Sequence, residues 1–185
     1  VADLFSELRK DHLEVLDLLD ALIGDPASEG PDGKARRRLT ERLVIEESKH
    51  EAVEERLFWP EVRARLQHGG ELASTALEEE TKGKKLLNEF EKTKPGTEEY
   101  LTLLHQVRSA IRRHIMYEEN VVWHPLRAVM PRDEMARIGE EIAAGRATAP
   151  TRPHPNTPPS PRILSTVGVA VAATDRIRDV LTGRG

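Results

Sequence analysis

Apolar residues recur along this chain at steps of three and four, the spacing that lines one face of an α-helix. Phe5, Leu8, Val15, Leu19 and Leu22 form the first stripe, and His12 falls within it. Asp3 stands where an N-cap is expected, and Gly24-Asp25-Pro26 stops the element after Ile23. A loop rich in Gly, Pro and Asp (24–33) follows. The second stripe, Leu39, Leu43, Glu46 or Glu47, His50, Glu54 and Leu57, predicts a helix from about Lys34 to Gln67 that Gly69-Gly70 ends. Pro60 has no N–H for the residue four back, so a kink or break is expected near Phe58-Trp59. A third helix, about Glu71 to Lys92, carries Ala73, Ala76, Glu80, Gly83, Leu87 and Phe90 inward, with Lys84 at the edge of that face. Pro95-Gly96 makes the next turn and Thr97 caps a fourth helix, in which Leu101, Leu104, Val107 and Ile111 lead to His114 and Glu118 before Pro125. A shorter fifth helix, about Arg132 to Ala144, has Met135, Ile138 and Ile142 on its apolar side and Gly145 as its stop.

The pattern then breaks. From Arg146 to Arg162 six prolines stand among Thr, Ser and Asn, a stretch that cannot form regular structure. Residues 163–185 carry an apolar run and then an amphipathic segment around Asp175 to Leu181. We read this tail as a short helix that docks on its own bundle or on a second copy of the chain as a homodimer. A membrane-surface helix is the less supported alternative, because only two or three cations would face the lipid. The expected organisation is a bundle with its fifth helix over 1–145, a Pro-rich linker over 146–162 and an amphipathic tail over 163–185.

Composition narrows the class. The chain has 185 residues, 38% hydrophobic and 32% charged but only 4% aromatic, so Leu, Val, Ile and Ala must fill the core of an all-α protein. A formal net charge of −4 makes no general case for nucleic acid or anionic membrane, and the basic run Lys34, Arg36, Arg37, Arg38 reads as a solvated helix face. The absence of cysteine removes disulfides, iron–sulfur clusters and zinc-thiolate sites together. No segment has the apolar length of a membrane span, and the amphipathic N-terminus has no signal-peptide core, so a cytoplasmic setting is expected.

One feature repeats. His50, Glu54, Glu55 and Trp59 return at a constant offset as His114, Glu118, Glu119 and Trp123. Residues four apart on a helix lie one above the other. Each copy therefore sets an imidazole beside a carboxylate. A single such pair is commonly an exposed ion pair contributing a few tenths of a kcal/mol. Two in register, each on an apolar stripe, fit that reading poorly. Buried carboxylates need a partner or a cation. Glu80 falls at about the depth where an antiparallel bundle would hold His50, and His12 joins from the first helix. The expected site is a metal centre built from His12, His50, Glu54, Glu80, His114 and Glu118.

The lone His on the first helix, the His–Glu pair followed by an aromatic and Pro on the second, and the His–Glu–Glu set on the fourth resemble the hemerythrin-like (HHE cation-binding) family. The resemblance covers about residues 2 to 128. It implies an up-down four-helix bundle holding two iron ions, bridged by oxo or hydroxo, that binds O2 or reacts with peroxide or NO. Peroxide- or NO-directed enzymatic activity is thus an open expectation. On this resemblance His12 and His50 ligate one iron and His114 the other, Glu54 and Glu118 bridge, and Glu119 is the alternate bridge. The third helix departs from the family, which usually supplies two histidines there; this chain has none between His68 and His105. Glu80 aligns with the first missing ligand and Lys84 with the second, Glu78 and Thr81 being fallback donors. Imidazole and carboxylate without thiolate suit Fe or Mn, with Zn the further alternative. His68, His105, His124 and His154 lie off the stripes. Two other functions compete: an interaction module in which the bundle is scaffold, and a mononuclear Zn or Mn protein using His50, Glu54, His114 and Glu118.

Overall fold

The computed structural model describes residues 2–24, 33–155 and 171–180. It is all-α, with no strand among the described residues. Helix α1 spans Leu4–Ile23 and α2 Gly33–Val53; a π-helical turn, Glu54–Phe58, leads into α3, Trp59–Arg65. After a tight turn come α4, Gly69–Lys92, and α5, Glu98–Tyr117. A second π-helical turn, Glu118–Val122, leads into α6, Trp123–Val129, and α7 follows over Arg132–Arg146. Residues 171–180 are also helical. The loop expected at 24–33 lies largely outside the described residues, as do 156–170 of the linker and tail and 181–185.

Local chemistry sets the helix starts. Asp3 and Ser6 form a reciprocal capping box: Ser6 N–H donates to Asp3 Oδ1 at 2.8 Å, and Asp3 N–H to Ser6 Oγ at 2.7 Å. Thr97 Oγ1 accepts from Tyr100 N–H at 3.2 Å and caps α5. In space α1 packs on α2, α2 on α4, α4 on α5 and α5 back on α1, which closes a four-helix bundle with up-down connections. Helix α7 lies across α1 and α2 outside this ring.

The expected kink takes a more specific form, and it occurs twice. Trp59 N–H donates to Glu54 C=O and Trp123 N–H to Glu118 C=O, each five residues back rather than four. Pro60 and Pro125 cannot supply the next ordinary bonds, and each helix widens just upstream of its proline. The extra residue turns the buried face by one position, so Trp59 and Trp123 fall beneath Glu54 and Glu118, and all four are buried.

The core is divided in two. One apolar cluster gathers Leu4, Phe5, Leu8, Val53, Trp59, Ala73, Ala76, Val122 and Trp123. The other gathers Val15, Leu19, Leu43, Leu87, Phe90, Tyr100, Leu104 and Val107. On each bundle helix the change from one to the other falls at a polar residue: His12 on α1, His50 on α2, Glu80 on α4, and His114 with Glu118 on α5 and its π-turn. A polar layer therefore crosses the middle of the bundle.

Three details differ from the sequence reading. Leu101 is 42% exposed, and Tyr100, its ring tilted against Phe90 with centroids 4.7 Å apart, fills the inner place. Gly69 does not end a helix but opens α4, where a Cβ would meet the Val62 carbonyl oxygen at 1.9 Å. Gly145 likewise lies inside α7, its missing side chain giving room to the Arg56 guanidinium. The tail helix, with Ala172 buried, docks largely through polar groups. Asp175 and Asp179 are buried, accepting from His154 Nε2 (2.9 Å), Thr151 Oγ1 (2.6 Å) and Arg152 (2.6 Å), while Ile177 and Val180 face outward.

Gly139 seats α7 on the start of α1, because a Cβ there would stand 2.6 Å from the Asp3 carbonyl carbon. Gly139→Ala is expected to cost about 1–2 kcal/mol of stability through the forced backbone shift. Gly70→Ala, where nothing lies within 4 Å, should be neutral or stabilising by up to about 1 kcal/mol. Urea unfolding of the two variants beside wild type checks this, and equal stabilities would contradict the packing of α7.

Candidate metal centre

All six residues expected at the site converge. His12, His50, Glu54 and Glu118 each place a donor atom within 4.8 Å of the others, and so do Glu54, Glu80 and His114, with Glu54 common to both groups. All six are buried, none more than 6% exposed. Glu118 faces two ways: Oε2 lies 3.1 Å from His12 Nε2, and Oε1 lies 3.2 Å from His114 Nε2. Glu54 Oε2 sits between His50 Nε2, at 3.5 Å, and His114 Nε2, at 3.7 Å. Glu80 Oε1 stands 3.9 Å from His114 Nε2 and accepts the Trp59 indole N–H at 2.8 Å.

The interior test is whether these groups satisfy one another. They do not. His50 Nε2, both oxygens of Glu54, Glu80 Oε2, His114 Nε2 and Glu118 Oε1 are buried without a hydrogen-bond partner. Buried polar atoms are almost always paired, and leaving one unpaired costs about 1–3 kcal/mol. Here the orphaned atoms all belong to metal-donor types and point into one place. Donor atoms around one cation at about 2.1 Å lie roughly 3 Å or a little more apart, the range seen here. The residues fit a cation.

A wider shell orients the rings. His12 Nδ1 is 2.9 Å from Glu119 Oε1, and Arg9 holds Glu119 at 3.0 Å. His50 Nδ1 lies 3.6 Å from Asp11, which Arg146 grips at 2.7 Å while also bonding Glu7 at 2.8 Å. His12 stacks on Trp123 with centroids 5.2 Å apart. Carboxylates behind ligating imidazoles fix tautomer and orientation. Glu119, the alternate bridge on sequence grounds, is thus a support for His12. Lys84 ion-pairs with buried Glu55, rather than with Glu80 or Glu118. Glu78 is exposed and the Thr81 hydroxyl bonds back to Leu77 C=O, so α4 offers Glu80 alone.

A profile of the hemerythrin HHE cation-binding domain matches residues 3–123. The chain belongs to the hemerythrin HHE cation-binding family. An uncharacterised hemerythrin-like protein of Schizosaccharomyces pombe is 23% identical over 145 residues, 78% of this chain and 71% of that protein. The crystal structure of a hemerythrin HHE cation binding domain-containing protein from Mycobacterium kansasii superposes with a TM-score of 0.66 at 20% identity, covering 95% of this chain and 99% of that one. The HHE fold and the two His/Glu clusters together fit metal binding.

Protonation in this HHE site follows from burial and close neighbours. Burial would raise Glu118, but His114 and His12 hold it well below the usual carboxylate range. Burial would lower His114, but Glu118, Glu54 and Glu80 hold it well above its ordinary value. Burial, reinforced by the Glu118 charge, pushes Glu54 well up, and burial does the same to Glu80. Burial pulls His50 down despite Asp11. Two residues not assigned from sequence complete the layer: burial lifts Glu47 to about 8, aided by Glu51, and lifts Glu51 to about 7 against the pull of Lys84. Glu47 stood in the sequence stripe as one of two options; Glu51 had no signal, being one residue off the face that carries His50.

These shifts set a pH dependence for the metal-free protein. Between about pH 6.5 and 8 the folded chain keeps protons on Glu47, Glu51 and His114 that the unfolded chain has released. Stability must therefore fall as pH rises through this window. The lowered His50 acts with the opposite sign only below its ordinary 6.5, outside it. Thermal melts of chelator-treated protein at pH 6.5 and pH 8 are expected to show the lower midpoint at pH 8. A midpoint that rises would contradict these protonation states.

Proposed function

We propose that this HHE protein is a non-heme di-iron protein that binds, senses or detoxifies a small oxidant such as O2, peroxide or NO. The observation that carries this reading is the sharing of carboxylates. Glu54 belongs to both donor groups, and Glu118 turns one oxygen to each side. That arrangement would suit two cations: His12 and His50 would hold one, His114 and Glu80 the other, and Glu54 and Glu118 would be available to both.

Three imidazoles and three carboxylates without thiolate suit iron, with manganese and then zinc as alternatives. When bound, iron supplies the redox change and the affinity for a small oxidant that no side chain in this pocket has. The chain supplies the rest. Glu54, Glu80 and Glu118 bring negative charge against two divalent cations. Trp59 fixes the orientation of Glu80 through its indole N–H. Glu119 holds the His12 ring with its Nε2 toward Glu118, and Asp11 stands 3.6 Å behind His50, whose Nε2 faces Glu54. Trp123, Phe5 and the surrounding apolar cluster exclude bulk water on one side.

Metal content and the visible spectrum of the purified protein test this. About two irons per chain with charge-transfer absorption are expected for wild type. Glu80→Gln should retain about one, because an amide is a poorer donor and only the second position depends on this side chain. Glu54→Gln should weaken both positions, and Glu78→Gln, an exposed change on the same helix, neither. A wild-type protein that binds no metal would favour the interaction-module reading, and one Zn or Mn per chain the mononuclear one. Full iron retention in Glu80→Gln would remove Glu80 from the ligand set.

A further inference from the structure

Glu47 and Glu51 belong to neither donor group, yet they are only 4% and 2% exposed. They line a cavity between α2, α4 and α5 whose other walls include Glu80, Gly83, Ala110 and His114. Its volume of about 20 Å³ is room for one water-sized occupant. The inner end is the second donor group, through Glu80 and His114. The outer end reaches part-exposed Gly83 and Ala110 and the Glu79 carboxylate, which exposed Arg113 holds at 3.3 Å. Glu51 Oε2 is buried and unpartnered, and so is His114 Nδ1. Gly83 lies against Glu51: a Cβ there would come into ordinary contact with Glu51 Oε1 at 3.7 Å, and a larger side chain would enter the cavity. Lys84 acts on Glu51 only through its nearby charge, because its direct ion pair is with Glu55.

We propose that this cavity is a cation transit site, in which Glu79, Glu51 and Glu47 take a divalent metal ion from the surface and pass it to Glu80 and His114. The inference rests on the metal-centre reading above. Its own ground is separate: two carboxylates outside the centre, one with a free oxygen, face a conduit that connects the centre with the surface. Four carboxyl groups, Glu47, Glu51, Glu79 and Glu80, line it against Arg113 and His114, and an entering cation can displace their protons and bind the carboxylates. The size admits an ion stripped of most of its water and nothing larger, so carboxylates along the way must replace the lost hydration. A passage serving the oxidant alone would need no buried carboxyl groups.

The test follows the rate of metal uptake, separately from any activity. Trp59 donates to Glu80 and so reports the second position directly. Metal-free protein is mixed with Co(II) or, anaerobically, Fe(II), and tryptophan quenching is followed by stopped flow, with metal content measured after long equilibration. Glu47→Gln and Glu51→Gln keep shape and remove the carboxylate that an entering cation would bind. Each is expected to slow quenching about ten-fold or more, with the double variant slower still, while final metal content stays near wild type. Gly83→Leu, which fills the passage without touching charge, should slow uptake as well, and Glu78→Gln should not. Rising ionic strength should slow wild type more than the double variant. Unchanged rates in the Gln variants and in Gly83→Leu, with wild type loading normally, would overturn the transit site and leave the metal centre standing. Reduced final content at an unchanged rate would also overturn it, making these residues ligands or supports instead. A wild type that takes up no metal would overturn the metal centre, and the transit site with it.

Discussion

The constraint on which this structure depends is a buried layer of charge. Three imidazoles and three carboxylates lie between two apolar clusters, with Glu47, Glu51, Glu55 and Lys84 beside them. Taking an ion out of water costs several kcal/mol even after relaxation, so such a layer survives only if its charges are matched. The bare chain matches them in part with protons, on Glu54, Glu80 and His114, and in part with Lys84. A cation needs the same oxygens and must displace those protons. Folding, pH and metal affinity are therefore coupled in one place, and binding should release protons. The apolar clusters above and below make this coupling strong, because they deny the layer the water that would screen it.

The backbone meets the constraint with one device used twice. Each His–Glu pair is followed by a π-turn that begins at the glutamate and ends at a tryptophan. A regular α-helix would carry a residue five beyond the glutamate well off its face. The wider turn brings it back, and the two indoles close the layer from one side. From there the copies diverge. Trp59 gives its N–H to Glu80 on α4, whereas Trp123 stacks on His12 of α1. The repeated motif thus receives a carboxylate from one neighbour and an imidazole from the other, and the two halves of the centre differ in donor character for that reason.

The stripes of α1, α4 and α7, the caps at Asp3 and Thr97 and the six converging side chains were legible because period and cap chemistry are local properties. Position on an apolar stripe was enough to aim His12, His50 and Glu80 inward. Other features depended on what lies across a gap, which no period encodes. Pro60 announced a break but not that it would widen into a π-turn, since kink and bulge are alternatives settled by packing on both sides. Glycines misled at Gly69 and Gly145, where a close approach by Val62 and by Arg56, not a stop, explains the residue. Leu101 continued the stripe on paper, but the aromatic pair of Phe90 and Tyr100 claimed the inner place. Glu51 was hidden because its burial comes from packing against α4, which no period of α2 encodes.

The family match ends at Trp123, while the support of the centre does not. Arg146, the last residue of α7, bonds Glu7 and Asp11 on α1, and Asp11 is the carboxylate nearest His50 Nδ1. Helix α7 can sit close enough for this because Gly139 lets it meet the backbone of Asp3 and Leu4. His12 is backed in the same manner by Glu119 and Arg9. Neither His50 Nδ1 nor His114 Nδ1 makes a hydrogen bond, but Asp11 stands 3.6 Å behind the first and no carboxylate is paired with the second. An imidazole braced by a carboxylate is the better-oriented and more basic ligand. Of the three rings His12 is therefore the most firmly set, and the support that reaches it and His50 comes from α1, α7 and the π-turn rather than from α4.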